Sequence, residues 1–247
     1  MAAETGDRTL LAACRRIWNR LVERRMHLTG GIGPSRRNEG FTFDWDLPDE
    51  TAYLETCAAI ALVFFAQRML GIERDGRYAD VAERALYNGV LAGIGLDGVS
   101  FFYANPLAAH PFVSPHLSET LPPNPDTVHY RRSAWFGCAC CPPNIARLLA
   151  SLPSYLYGAR GKELYVHHYA AGRMTAEVGG HGITVTQETD YPWDERIRLR
   201  IDADAAAAWT LALRIPGWCR GATLDVNGEA VAVDDICTRG YARLQRT

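Results

Sequence analysis

Three cysteines fall within four positions of the stretch WFGCACCPPN: Cys138, Cys140 and Cys141. A second motif, ETC, supplies Glu55 and Cys57. Glu55, Cys57, Cys140 and Cys141 together offer a carboxylate and three thiols, a set that could close one tetrahedral metal site. Zinc takes such donors readily, whereas thiolates disfavour magnesium and calcium. The spacing is not that of a zinc ribbon, because no pair of C-x-x-C knuckles is present. Residues i and i+2 lie on nearly opposite faces of a regular helix. Glu55 and Cys57 can therefore share an ion only where the backbone is irregular, with the helix proper beginning near Cys57. The plainer alternative stays open, with Cys57 a core thiol and Glu55 a solvated first-turn acid.

For Cys140 and Cys141, metal binding or catalysis is the better reading. The seven cysteines are odd in number, the chain is long, and adjacent cysteines form a disulfide only with strain. Cys14, Cys219 and Cys237 stand alone among apolar neighbours and read as buried structural residues. A metal-held thiolate is already deprotonated, and it serves either as inert structure or as a nucleophile. A nearby general acid or base would separate the two. Glu39, in the loop SRRNEGFTF, is the candidate, although by itself it reads as an ordinary exposed loop acid. His27, His167 and His168 have no recognisable partner motif, which weakens a Cys–His thiol hydrolase reading.

These residues must be positioned by helices. Leu10, Leu11, Cys14, Ile17, Trp18, Leu21 and Val22 recur at helical spacing within 8–26. TGGIGP at 29–34 ends that helix, and 35–47 reads as a long surface loop. A second helix is expected from Pro48, with Asp49 and Glu50 in its first turn. Its segment 58–65, AAIALVFF, is apolar all round and predicts burial on every side. A third helix is expected over about 77–91, ending at Gly93, followed by a turn and a short strand in GLDGVSFFYANPL. Residues 105–128 hold six prolines and read as a loop or insertion. Ile145, Leu148, Leu149 and Leu152 resume helical spacing, which Pro153 should kink or end.

After Gly158 the texture changes to short alternating runs such as ELYVHHYAAG, GITVTQETDY and WTLALRIPGW, separated by turn signals. VNGE is a strong hairpin signal. The pattern predicts an antiparallel β-sandwich over 158–247, after a helical domain over 1–157. The helical part offers too few helices for a complete barrel, and both ends read as cut.

Four stretches resemble the β-L-arabinofuranosidase family, glycoside hydrolase family 127. They are MHLTGGIG with NEGFTFDWDLPDETAYLETCAAIA, ERALYNGVLAGIGLDGVSFFYANPL, WFGCACCPPNIARLLASL and LALRIPGW. The resemblance runs in order from about Ile17 to Trp218. It implies an α+β multidomain fold, a partial (α/α)6 barrel followed by an antiparallel β-sandwich. It also implies a retaining glycoside hydrolase with a zinc-bound cysteine. Carried over by motif, Glu55, Cys57, Cys140 and Cys141 would bind Zn2+, and Cys140 would be the nucleophile. Glu39 would be the acid/base, in a partly desolvated place that keeps it protonated. Tyr103 and Glu83 fall in stretches resembling substrate-contacting ones, with a packed tyrosine and a helix-surface acid as the alternatives. Cys138 is left outside the ligand set, as a spare core thiol. The family's substrate-binding histidines would lie in the part of the barrel preceding this chain. The competing expectation is an inactive fragment with a structural zinc site, or a sugar-binding remnant.

A carbohydrate substrate is the partner that the resemblance implies. Apolar residues make up 48%, enough for a sizeable core, while charged residues make up 22% and the net charge is −2. No basic stripe stands out, so neither nucleic acid nor an anionic membrane is expected as a partner. The N-terminal stretch is interrupted early by charges, which argues against a leader or a span and makes a cytoplasmic location the expectation. A homodimer is compatible with the sequence.

Overall fold

A computed structural model describes residues 2–108, 131–206 and 208–246. The proline-rich stretch expected over 105–128 lies largely outside them. The chain divides into two compact units, each discontinuous in sequence. The first comprises Met1–Phe64 and Val81–Leu148, the second Phe65–Asp80 and Leu149–Thr247.

In the first unit, a short α1 (Ala2–Thr5) precedes α2 (Arg8–Arg24). Asp7 caps α2 by accepting from the Thr9 backbone N–H at 2.8 Å, as an acidic N-cap residue should. Trp18 and Leu21 are its buried face. The loop after α2 is not loose. Asp44 accepts from Arg20, Arg24 and Arg25 at 2.9, 3.2 and 2.7 Å, and these arginines hold its carboxyl well below the usual range.

The helix expected from Pro48 starts later. α3 runs Thr56–Glu73. Residues 53–54 are instead irregular and pair with the glycine turn, with Tyr53 N–H donating to Pro34 O and Leu54 N–H to Gly33 O, both at 3.0 Å. Tertiary pairing overrides the acidic first-turn signal here. Nor is α3 buried on every side: Ile60, Leu62, Val63, Ala66, Met69 and Leu70 are buried, while Ala61, Arg68 and Ile72 are exposed.

α4 (Gly76–Arg84) passes into a π-helical turn over Ala85–Val90 and then a 3-10 turn over Leu91–Gly93. Period alone does not foretell this widening. Gly30, at φ +83°, lets the backbone pass so close that an added Cβ would stand 2.8 Å from the Ala85 Cα. α5 (Cys141–Ser151) carries Pro142 and Pro143 in its first turn, where no backbone N–H is required. It tightens into a 3-10 turn over Leu152–Tyr155, where Pro153 sits.

The second unit is strand-rich. A five-stranded sheet has the order β1-β2-β6-β10-β9, with β1 Tyr157–Arg160, β2 Glu163–Val166, β6 Trp209–Arg214, β9 Cys237–Thr238 and β10 Tyr241–Arg246. A three-stranded sheet contains β3 (Gly172–Val178), β4 (His181–Glu188) and β5 (Arg198–Ala203). The VNGE hairpin joins β7 (Leu224–Val226) to β8 (Glu229–Val231), with Asn227 at φ +57° and Gly228 at +89°. A short α6 (Val233–Ile236) precedes β9. Leu164, Val166, Leu211 and Leu213 from the larger sheet pack in one cluster with Val178, Ile183 and Val185 from the smaller. Pairing is antiparallel except between β2 and β6, which run parallel. This corrects the all-antiparallel expectation, because β6 joins β2 from far along the chain and not through a hairpin.

Candidate metal centre

The first unit brings Glu55, Cys57, Cys140 and Cys141 together. One donor atom from each lies within 4.8 Å of every other. Cys57 and Cys140 sulfurs are 2.9 Å apart, and Cys57 Sγ is 3.6 Å from Cys141 Sγ. Cys140 Sγ donates to Glu55 Oε1 at 3.0 Å. The sulfur separations are well beyond a disulfide bond of about 2.05 Å. The cluster is small enough for one ion: the 3.6 Å pair has the spacing of thiolates on tetrahedral zinc, roughly 3.5–4 Å, and the 2.9 Å pair is closer than that.

The irregular backbone that the i, i+2 spacing demands is present. Glu55 precedes α3, pairs with Ala104 in an isolated antiparallel bridge, and follows Leu54 at φ +42°. Its carbonyl accepts from the Ala58 and Ala59 N–H groups, so Glu55 caps the helix while Cys57 lies in the first turn. Asn105 fixes this start, donating through Nδ2 to Leu54 O and Thr56 Oγ1, each at 3.0 Å. Thr56 Oγ1 in turn donates to Phe102 O at 2.8 Å. On the other side, Cys141 opens α5. Two helix N-termini thus meet at the cluster. Three thiolates and a carboxylate around a divalent cation would leave a net charge of about −2, which the positive helix ends favour.

The chain's own groups favour the protonated thiols. Burial, Cys57 and Glu55 push the Cys140 thiol up, and Cys141 together with burial pushes Cys57 up. A cation is what such a donor set needs before it carries thiolate. The residues therefore fit a thiophilic metal.

The surroundings are aromatic. Tyr53, Phe101, Tyr103, Ala104, Phe136 and Cys141 form a buried cluster against which Cys57, Cys140 and Ile145 pack. Cys141 is fully buried, whereas Cys140 is half-buried, so Cys140 is the more accessible of the adjacent pair. Tyr103 is 4% exposed, its ring lies 6.0 Å from that of Tyr53, and Cys140 packs against the same buried cluster. Tyr103 is thus packed and also part of the site. The Asn144 side chain acts on the Cys57 thiol in the sense that favours its thiolate, and it accepts from Arg147 at 2.5 Å. Its place in CCPPN, one turn into α5, is the signal that could have found it.

Other expected residues fall differently. Glu39 is exposed, at φ +49°, on a turn bounded by Ser35 and Gly40. The partial desolvation expected for it is not provided here, because the turn projects the side chain outward and Tyr53 approaches it from one side. Glu83 is buried on α4 and is no surface acid, and it stands outside the four-donor cluster. Cys138 is exposed and not a core thiol, since Phe136 is the inward anchor of its loop. Cys14, Cys219 and Cys237 are half-buried, not fully buried.

Comparison with known proteins gives a consistent answer. A family model described as the β-L-arabinofuranosidase GH127 catalytic domain matches residues 1–154, and one described as the GH127 middle domain matches 163–247. A non-reducing end β-L-arabinofuranosidase of Bifidobacterium longum subsp. longum is 45% identical over 235 residues, covering 91% of this chain and 34% of its own length. The crystal structure of a GH127 β-L-arabinofuranosidase from Geobacillus stearothermophilus T6 superposes with TM-score 0.91 at 48% identity, over 99% of this chain and 38% of that one. A solved GH127 β-arabinofuranosidase gives TM-score 0.86 at 37% identity, over 99% and 38%. The chain spans roughly a third of the length of these relatives.

Proposed function

The chain belongs to glycoside hydrolase family 127, the β-L-arabinofuranosidases, and on that premise we propose that it carries the nucleophile side of a retaining glycosidase site for β-linked L-arabinofuranosides. The helical unit is read as part of an (α/α)6 barrel. The observation that carries the proposal is the four-donor cluster with Cys140 as its accessible member of the adjacent pair. Glu55, Cys57, Cys140 and Cys141 would hold Zn2+. When bound, zinc supplies positive charge that keeps the thiols deprotonated at neutral pH.

In the first step the Cys140 sulfur forms a bond to the anomeric carbon. The glycosidic bond breaks, and Glu39 gives its proton to the leaving oxygen. In the second, the Glu39 carboxylate takes a proton from water, whose oxygen displaces the sulfur. Two inversions give net retention, with a thiolate where most glycosidases use a carboxylate. A substrate lying against Glu39 would supply the desolvation that its exposed loop lacks. Tyr103 and Glu83 are assigned to the sugar pocket.

Trapping tests this reading. An electrophilic arabinofuranose analogue is expected to label Cys140, as located by peptide mass mapping. Label confined to Cys57, or none at all, would overturn the nucleophile assignment. The exposure of Glu39 favours a second reading, a structural zinc site without turnover, and the absence of labelling is its signature.

A further inference from the structure

We infer that Tyr53 is a positioning residue for the acid/base Glu39, holding this acid at the wall of the cluster against which the nucleophile Cys140 packs. The inference rests on the roles proposed above for Glu39 and Cys140.

The Tyr53 hydroxyl donates to Glu39 Oε1 at 3.4 Å. The Tyr53 ring packs beside that of Tyr103 in the buried cluster against which Cys140 also packs. Tyr53 therefore stands between the Glu39 turn and the cluster that borders the sulfurs. The two partners at the acid's end differ sharply in rigidity. Glu39 sits on an exposed turn whose closing backbone bonds, between Ser35 and Gly40, are long at 3.4 and 3.3 Å. Its backbone is held at φ +49°, a conformation that a non-glycine residue keeps only when surrounding structure demands it. Tyr53 is 4% exposed. Its N–H donates to Pro34 O at 3.0 Å and its carbonyl accepts from Asn105 N–H at 3.2 Å. Its ring lies 6.0 Å from that of Tyr103, and the Arg36 guanidinium lies over the ring, 6.0 Å from its centroid. Tyr53 is therefore a buried post with its hydroxyl aimed at an exposed acid. Catalytic hydrogen bonds that are long without substrate commonly tighten when substrate binds.

The prediction is specific to leaving groups. Protonation matters for poor leaving groups and little for good ones. In the full-length, zinc-loaded enzyme, Tyr53→Phe is expected to lower kcat/KM about 10- to 100-fold for an alkyl or sugar leaving group, and less than about 3-fold for a nitrophenyl one. Glu39→Gln is expected to show the same pattern more steeply. Tyr53→Phe added to Glu39→Gln is expected to cost little more, because the two act as one unit. Zinc content and the rate of Cys140 labelling by a haloacetyl arabinofuranoside are expected to be unchanged in Tyr53→Phe. A leaving-group-independent loss in Tyr53→Phe, beside a steep Glu39→Gln, would overturn the inference while leaving the acid role intact. A leaving-group-independent Glu39→Gln would overturn the acid role itself, and the inference with it.

Discussion

Cys140 Sγ and Glu55 Oε1 meet at 3.0 Å although 85 residues separate them in the chain. That contact joins the start of α3 to the start of α5, and it makes the cluster a property of the fold rather than of either motif. Removing one donor should therefore be felt by all four.

Cys57→Ala and Cys141→Ala are each expected to reduce bound zinc from about one ion per chain to near zero. Cys138→Ala is expected to keep it, because Cys138 is exposed and outside the cluster. Elemental analysis of the purified variants decides. Full zinc in Cys57→Ala would place the ion elsewhere.

Asn144 touches no ion, yet its side chain acts on a ligand, favouring the thiolate of Cys57. Partners of this kind typically contribute about 10- to 100-fold in metal affinity. Asn144→Ala is expected to weaken zinc by that factor in competition with a chromogenic chelator. Asn144→Asp, which replaces the amide by a negative charge beside a thiolate, is expected to weaken it further.

The second unit hides a different dependence. Arg214 is fully buried, its Nη1 is 2.7 Å from Asp80 Oδ1, and its Nε donates to His167 O at 2.6 Å. Asp80 also accepts from the Gly217 N–H at 3.1 Å. Asp80→Ala leaves a buried guanidinium without its counter-charge and is expected to cost about 3–5 kcal/mol in urea unfolding. Loss under about 1 kcal/mol would mean that the charge finds another partner.

His167 gives this unit a pH dependence. Burial, with Arg214 and Arg74 nearby, lowers its pKa from 6.5 to about 4, and its Nδ1 is 2.7 Å from the Tyr241 hydroxyl. Between those two values the unfolded chain holds the proton and the folded chain does not, so stability rises with pH. The contribution is complete above pH 6.5 and is lost as pH falls towards 4, by about 3 kcal/mol. Unfolding midpoints across that window, compared with those of His167→Gln, are expected to show the variant as the flatter of the two.

Local signals were the legible ones. The VNGE turn needs only Asn227 and Gly228 at positive φ, and both are there. The helical period of 8–26 and the texture change after Gly158 likewise depend on neighbours in sequence. What the sequence misjudged was set at long range. α3 begins at Thr56 and not Pro48, because Tyr53 and Leu54 pair with Gly33 and Pro34. The π-turn at 85–90 begins where Gly30 approaches Ala85, 55 positions away, and the parallel β2–β6 pair joins strands far apart in the chain.

The sequence by itself determined the chemistry on offer: a carboxylate and three thiols, suited to a thiophilic ion, on two motifs that resemble one family. Tertiary structure decided which groups meet. It buried Cys141 and left Cys140 accessible, turned Cys138 outward, kept Glu39 on an exposed turn, and set Tyr53 and Asn144 beside the proposed machinery. The reason is physical. Donor type and local backbone preference are written residue by residue, whereas burial and hydrogen-bond partnership exist only once distant segments pack against one another.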